Sequence, residues 1–188
     1  MTRTSRLPVC VVASALAAAL APLAASRATT VEALTDADVV ARAARVVHGV
    51  CTGATPRWSD DGKLIVTDVT IAAIEVIKGG KASEVCFTLP GGRLGEQATL
   101  IHGMPPIAAG DEVVLCLSAV SPKSGLCVPI GLEQGAFRVI PVDGRKVAVR
   151  RITVNLAAPA GEAAPRRRPA QEATPLADLL SLLRSLAR

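Results

Sequence analysis

The sequence predicts a mainly β domain, a small closed or partly open barrel of about six to seven strands. A short helix precedes it and an amphipathic helix follows it. Three observations predict this. Residues 63–80, KLIVTDVTIAAIEVIKGG, alternate in side-chain character at the period of two that a strand requires. Val, Ile and Thr dominate that stretch, and their stiff χ1 angles favour a pleated surface over a helix. Turn signals then recur every ~8–12 residues, the spacing of a sandwich or small barrel.

The organising strand is bent. Ile65, Thr67, Val69 and Ile71 share one face, and Val66, Asp68 and Thr70 the other. After Ala72 and Ala73 the apolar set shifts to Ile74 and Val76, so a bulge belongs there. Barrels use such long bent strands to serve both halves of a closed sheet. Lys78-Gly79-Gly80 ends the strand as a turn signal.

The other elements follow in order. Thr35 caps a short helix over residues 36–44, with Asp36 and Asp38 in its first turn. Residues 46–52, VVHGVCT, form a strand in which Gly49 marks a close approach or bulge. Residues 57–62 turn polar, ending on the hairpin signal Asp61-Gly62. Residues 84–89 form a third strand. Residues 90–95, PGGRLG, form a loop; they lack the Lys-Ser/Thr ending of a phosphate loop and read as a barrel corner. Residues 97–102 form a short strand, 112–118 a buried one, and 126–131 a return. Residues 136–142 and 146–154 make a hairpin about Asp143-Gly144.

The ends have a different composition. Arg3 and Arg6 precede an apolar run over residues 7–25, with small residues after it, so residues 1–26 read as a secretory signal peptide. The barrel domain spans residues 31–155. Residues 156–174, rich in Pro, Ala, Gly and Arg, read as a disordered linker. In residues 175–188, Thr174 caps, Pro175 takes the first helical position, and Leu176, Leu179, Leu180, Leu183 and Ala187 form one stripe. That helix docks on the barrel, on a partner or on a membrane surface.

Charge and cysteine content bound the function. The net charge is +5, yet residues 31–155 carry thirteen Lys/Arg against thirteen Asp/Glu. The basic excess lies at the ends, in Arg166, Arg167 and Arg168 among others, so no nucleic-acid face is expected. Cys51, Cys86, Cys116 and Cys127 remain after cleavage, an even number that suggests two disulfides in an exported chain. The pairing Cys116–Cys127 across a hairpin loop is favoured, leaving Cys51–Cys86. No C-x-x-C pair supports zinc, and no metal or cofactor is expected.

The segments Val46-Val47-His48-Gly49-Val50, Thr67-Asp68-Val69-Thr70, Val76-Ile77-Lys78-Gly79 and Gly110-Asp111-Glu112-Val113-Val114-Leu115 resemble a family of uncharacterised exported bacterial proteins. More loosely, they are similar to the OB-fold barrel of netrin-like and metalloproteinase-inhibitor domains. The resemblance implies an OB-like barrel over residues 31–154, carried by structural motifs. The inhibitors' N-terminal zinc-chelating cysteine has no counterpart here, since a mature chain starting near Arg27 or Thr29 has no cysteine until Cys51.

These readings give a secreted or periplasmic, non-enzymatic binding module. Its partner is expected to be a protein of the envelope or medium, held through loops or the terminal helix. Possible binding residues are His102, beside a Gly-Met-Pro turn, Arg93 in the glycine-rich loop, and Leu179 and Leu183 on the helical stripe. One alternative is an exported hydrolase or metal-dependent enzyme using His102 with Asp111 or Glu112. Another is a peripheral envelope protein held to lipid by the basic linker and terminal helix.

Overall fold

The structure, a computed structural model, describes residues 33–152 and 170–188. The signal-peptide expectation for residues 1–26 lies outside the described residues, as do residues 153–169 of the expected linker.

Helix α1 (Asp36–Arg42) starts where its capping signal lies. Thr35 Oγ1 accepts from the Asp38 N–H at 3.2 Å, and Asp38 Oδ2 accepts from the Thr35 N–H at 3.1 Å. At the other end Lys78 Nζ donates to the Val40 carbonyl at 2.8 Å and so caps the last turn from outside the helix.

The chain then builds β1 (Arg45–Trp58), β2 (Ile65–Lys78), β3 (Glu84–Pro90), β4 (Gly92–Leu94), β5 (Gln97–Thr99), β6 (Glu112–Leu117), β7 (Ala136–Val142), β8 (Arg145–Ile152) and β9 (Ala170–Pro175). Seven of these form one antiparallel sheet in the order β3-β2-β1-β6-β7-β8-β9, and β4 and β5 form a separate hairpin. The long bent β2 is therefore present. Its register against β1 slips between His48–Glu75 and Gly49–Ala73, leaving Ile74 as the extra residue, one position beyond the expected Ala72-Ala73. Gly49 is the close approach: a Cβ there would lie 2.3 Å from the Ala72 carbonyl oxygen.

Four expectations change. β1 extends to Trp58, because pairing with Ile65 keeps its last residues in the ladder. Residues 126–131 form no strand; they contribute a single bridge, Leu117 to Pro129, before a 3-10 turn at Leu132–Gly135. Residues 170–174 are not linker but belong to β9, which pairs with β8 from Ile152–Ala170 to Val147–Pro175. Thr174 pairs with Ala148 in that ladder, so Pro175 is the N-cap of helix α2 (Leu176–Leu186) instead. A short, mixed Ala-Gln-Glu-Ala-Thr segment carries no strand pattern of its own; the waiting edge of β8 supplies its partners.

No ladder closes the sheet among the described residues, so a mainly β fold stands and a closed barrel is not found. What returns toward β3 is one bond, from the Cys127 N–H to the Thr88 carbonyl at 3.0 Å. Each side of the sheet buries a core. On one side α1 and α2 pack Val39, Val40, Leu176, Leu179, Leu180 and Leu183 against Val46, Val114, Phe137, Val139 and Ala148. On the other side Val69, Ile71, Val85, Phe87, Val113 and Leu115 pack beneath Met104 and Ile107.

Candidate functional site

Residues 91–111, between β3 and β6, are the longest excursion from the sheet and hold two of the proposed binding residues. A Cβ at Gly92 would lie 2.6 Å from Thr67 Oγ1, and its φ of +147° suits glycine alone. Bare backbone thus lets the β4–β5 hairpin lie directly on β2. Thr67 Oγ1 donates to the Gly91 carbonyl at 2.7 Å, and the Ile65 N–H donates to Thr99 Oγ1 at 3.0 Å. A hairpin bolted down this way leaves apolar side chains in solvent: Leu100 is 90% exposed, Ile101 next to it is exposed, and so is Leu94 at the end of β4. Arg93 is exposed and donates to the Gly95 carbonyl at 3.3 Å; His102 is exposed at the following turn.

The return to β6 is also anchored. The Glu133 N–H donates to the Gly103 carbonyl at 3.0 Å, and the Ala108 N–H donates to Asp111 Oδ2 at 2.9 Å. Asp111 is ion-paired to Arg138 on β7. Residues 105–108 consequently divide two clefts. One, of ≈ 350 Å³, is lined by Thr67, Leu89, Leu100 and Ile101 among others. The other, of ≈ 590 Å³, lies over Val113, Ala136 and Val149 with Arg138 and Arg151 at its sides.

Asp111, the last residue before β6, and Glu112, its first, engage different partners. Glu112 faces the helix side. His48 Nε2 lies 2.9 Å from Glu112 Oε1, and Lys146 Nζ donates to Glu112 at 2.7 and 2.9 Å. Burial pushes the Glu112 carboxyl up, but the hydrogen bonds from Lys146 and His48 outweigh it and hold the group below its ordinary value. His48 Nδ1 is buried without a hydrogen-bond partner. The histidine that meets a carboxylate is therefore His48, held in the sheet, while Asp111 and Glu112 are engaged by Arg138 and by His48 with Lys146. His102 makes none of these contacts. Among the described residues no three His, Cys, Asp or Glu side chains converge as metal ligands.

Leu179 and Leu183, proposed from sequence as binding residues, are 3% and 1% exposed and belong to the helix-side core. Arg184, on the same helix, holds Glu75 through two bonds of 2.7 Å. No helix among the described residues is long and apolar enough to cross a membrane.

Neither expected disulfide is present: the four cysteines among the described residues are free thiols. Strand geometry explains why. Cys116 faces the helix-side core and Cys127 the loop-side core, so β6 stands between them. Cys51 is buried on the loop side, whereas Cys86 points outward from β3 toward Thr70. Burial pushes the Cys116 thiol up to about 12, and burial also raises Cys51 and Cys127.

One feature escaped the sequence reading. Arg150, 8% exposed, sits over the Phe137 ring at 5.0 Å and pairs with Asp36 of α1 and Glu172 of β9. It ties three distant segments to one point. An arginine on a strand beside Arg151 carries no local sign of burial.

Comparison of the chain with protein-family models, with curated proteins and with solved structures gave no match.

Proposed function

We propose that the chain is an exported, secreted or periplasmic, non-enzymatic binding module on an OB-like barrel, and that it holds a protein partner through residues 91–110. The barrel reading is supported by the long, bulged β1–β2 pair and by the contacts from Cys127 and Pro129 that lead the chain back between β3 and β6. The observation that carries the binding reading is Leu100, a large apolar side chain 90% exposed on a hairpin anchored to β2. Leu94 and Ile101 are exposed on the same anchored segment, and exposed apolar side chains grouped in this way suit a protein contact better than one standing singly.

The test is capture of partners from the envelope fraction and culture medium by the intact chain and by Leu100→Asp. Leu100 contributes little to the fold, so the variant should keep its thermal midpoint within about 2 °C. The expected result is loss of every specifically captured protein. Unchanged capture by Leu100→Asp and by Arg93→Glu would overturn the reading.

A further inference from the structure

The free edge of β3 has its own ligand chemistry. The Ala73 N–H donates to the Ser83 carbonyl at 2.9 Å, and the Gly91 N–H to the Ile65 carbonyl at 2.9 Å. In an antiparallel ladder these bonds place the odd-numbered residues of β3 in the hydrogen-bonded pairs with β2. The backbone groups of Glu84, Cys86 and Thr88 therefore point away from β2. The Thr88 carbonyl is engaged there by Cys127. The N–H and C=O groups of Glu84 and Cys86 meet no partner among the described residues.

This edge borders a cleft of ≈ 480 Å³ whose floor includes Val85, Phe87 and Leu117 and whose far wall carries Val120, 59% exposed. Arg45 also lines the cleft, and no carboxylate of the described residues pairs with it. We propose that this cleft takes an extended peptide segment of another protein, added as a strand to the β3 edge. Four unpaired backbone groups at strand spacing are complementary to another extended backbone. The floor requires apolar side chains at alternate positions of the peptide, and the outward face, with Glu84, Cys86 and Thr88, takes polar ones. Arg45, whose ladder partner Leu117 belongs to the loop-side core, selects an acidic residue at one of the inward positions. The chain already makes one bond of this kind, Cys127 to Thr88, before turning away. A second copy of the same strand is a poorer fit, because each β3 edge lies beneath its own wall at residues 118–120. This surface is separate from Leu100, and the proposal does not depend on the hairpin binding anything.

The probe is the capped octapeptide Lys-Val-Thr-Asp-Thr-Val-Thr-Lys, whose Asp shares the inward face with its valines, added to the ¹⁵N-labelled full chain. The amides of Glu84 and Cys86 should shift and exchange more slowly with solvent. Methylating one alternate set of peptide nitrogens should weaken binding about tenfold or more, the effect of losing two or more hydrogen bonds. Val120→Asp should weaken binding, whereas Val142→Asp, on a different strand, should not. Arg45→Glu should reverse the preference between this peptide and its Asp-to-Lys analogue. The proposal is overturned if those two amides are unmoved at millimolar peptide, or if both alternately methylated peptides bind undiminished. Protection of the same amides that rises with protein concentration alone would also overturn it, since the occupant would then be a second copy.

Discussion

On one side of the sheet, α1 and α2 lay regular apolar stripes over Val46, Val114 and Val139; on the other, residues 91–110 lay an irregular loop over Val113 and Leu115. The helix side closes its polar groups in pairs: Arg150 with Asp36 and Glu172, Glu75 with Arg184, Glu112 with His48 and Lys146. The loop side instead leaves clefts and lets Leu94, Leu100 and Ile101 stand in solvent. The two sides thus divide the work. Apolar stripes satisfied within the chain hold the fold, and apolar side chains without a covering element are the ones free to meet a partner.

Arg150→Ala is expected to break this division most severely. The substitution removes a nearly buried cation and leaves Asp36 and Glu172 facing each other without it. Asp36 and Glu172 are themselves partly exposed, so the loss is that of charge-assisted bonds rather than of a buried pair, about 1.5–3 kcal/mol. Urea denaturation should show that loss, with α2 exchanging its amides first, because β9 is the strand that carries the chain into it. A loss no larger than that of Arg151→Ala, at the exposed neighbour, would mean the helix side is not tied together through this residue.

The same division explains what could be read in advance. The capping box at Thr35 and Asp38, the bulged strand through Ile65 and Val76, and the hairpin about Asp143-Gly144 are local patterns, and each appears in place. The stripe of α2 was equally visible, but a stripe says only that something covers it; that Leu179 and Leu183 meet Val40 and Val46 is a long-range fact. β9 was missed for a related reason, since its pairing comes from β8 rather than from its own alternation. Counting cysteines failed because number and spacing do not report which side of a strand each thiol faces. Arg93 and His102 did fall on the exposed loop. Leu100, its most exposed large apolar residue, was passed over inside a predicted strand.

A smaller effect sharpens the loop side. Gly92→Ala forces a Cβ to 2.6 Å from Thr67 Oγ1 and 3.2 Å from Ile65 Cγ2, beneath the anchored hairpin. Overpacking of this kind costs about 1–3 kcal/mol. Gly95→Ala, at the tip of the same hairpin, meets nothing within 4 Å and bears only the strain of its φ of +62°, about 1–2 kcal/mol. Thermal unfolding should rank Gly92→Ala below Gly95→Ala. The reverse order would mean the hairpin is not seated on Thr67.

The smallest expected effect lies at the polar margin of the helix side and depends on pH. In the fold Glu112 is held below its ordinary value of 4.5 by Lys146 and His48, against burial. A carboxyl lowered by folding binds its proton less readily than in the unfolded chain, so protons favour unfolding. Its contribution is complete above the unfolded value and is lost as the pH falls through the lower folded value. Glu112→Gln keeps an oxygen acceptor and removes the titration. At neutral pH the variant should be less stable by about 1 kcal/mol, the worth of one partly exposed charge-assisted contact. As the solution is taken below about pH 5, the wild-type protein should lose that advantage and the two curves should converge. Urea midpoints measured across this range decide the matter. Curves that stay parallel into acid would show that the carboxylate of Glu112 contributes nothing by being charged, and the helix side would then be held by its apolar core and by the Arg150 and Arg184 pairs.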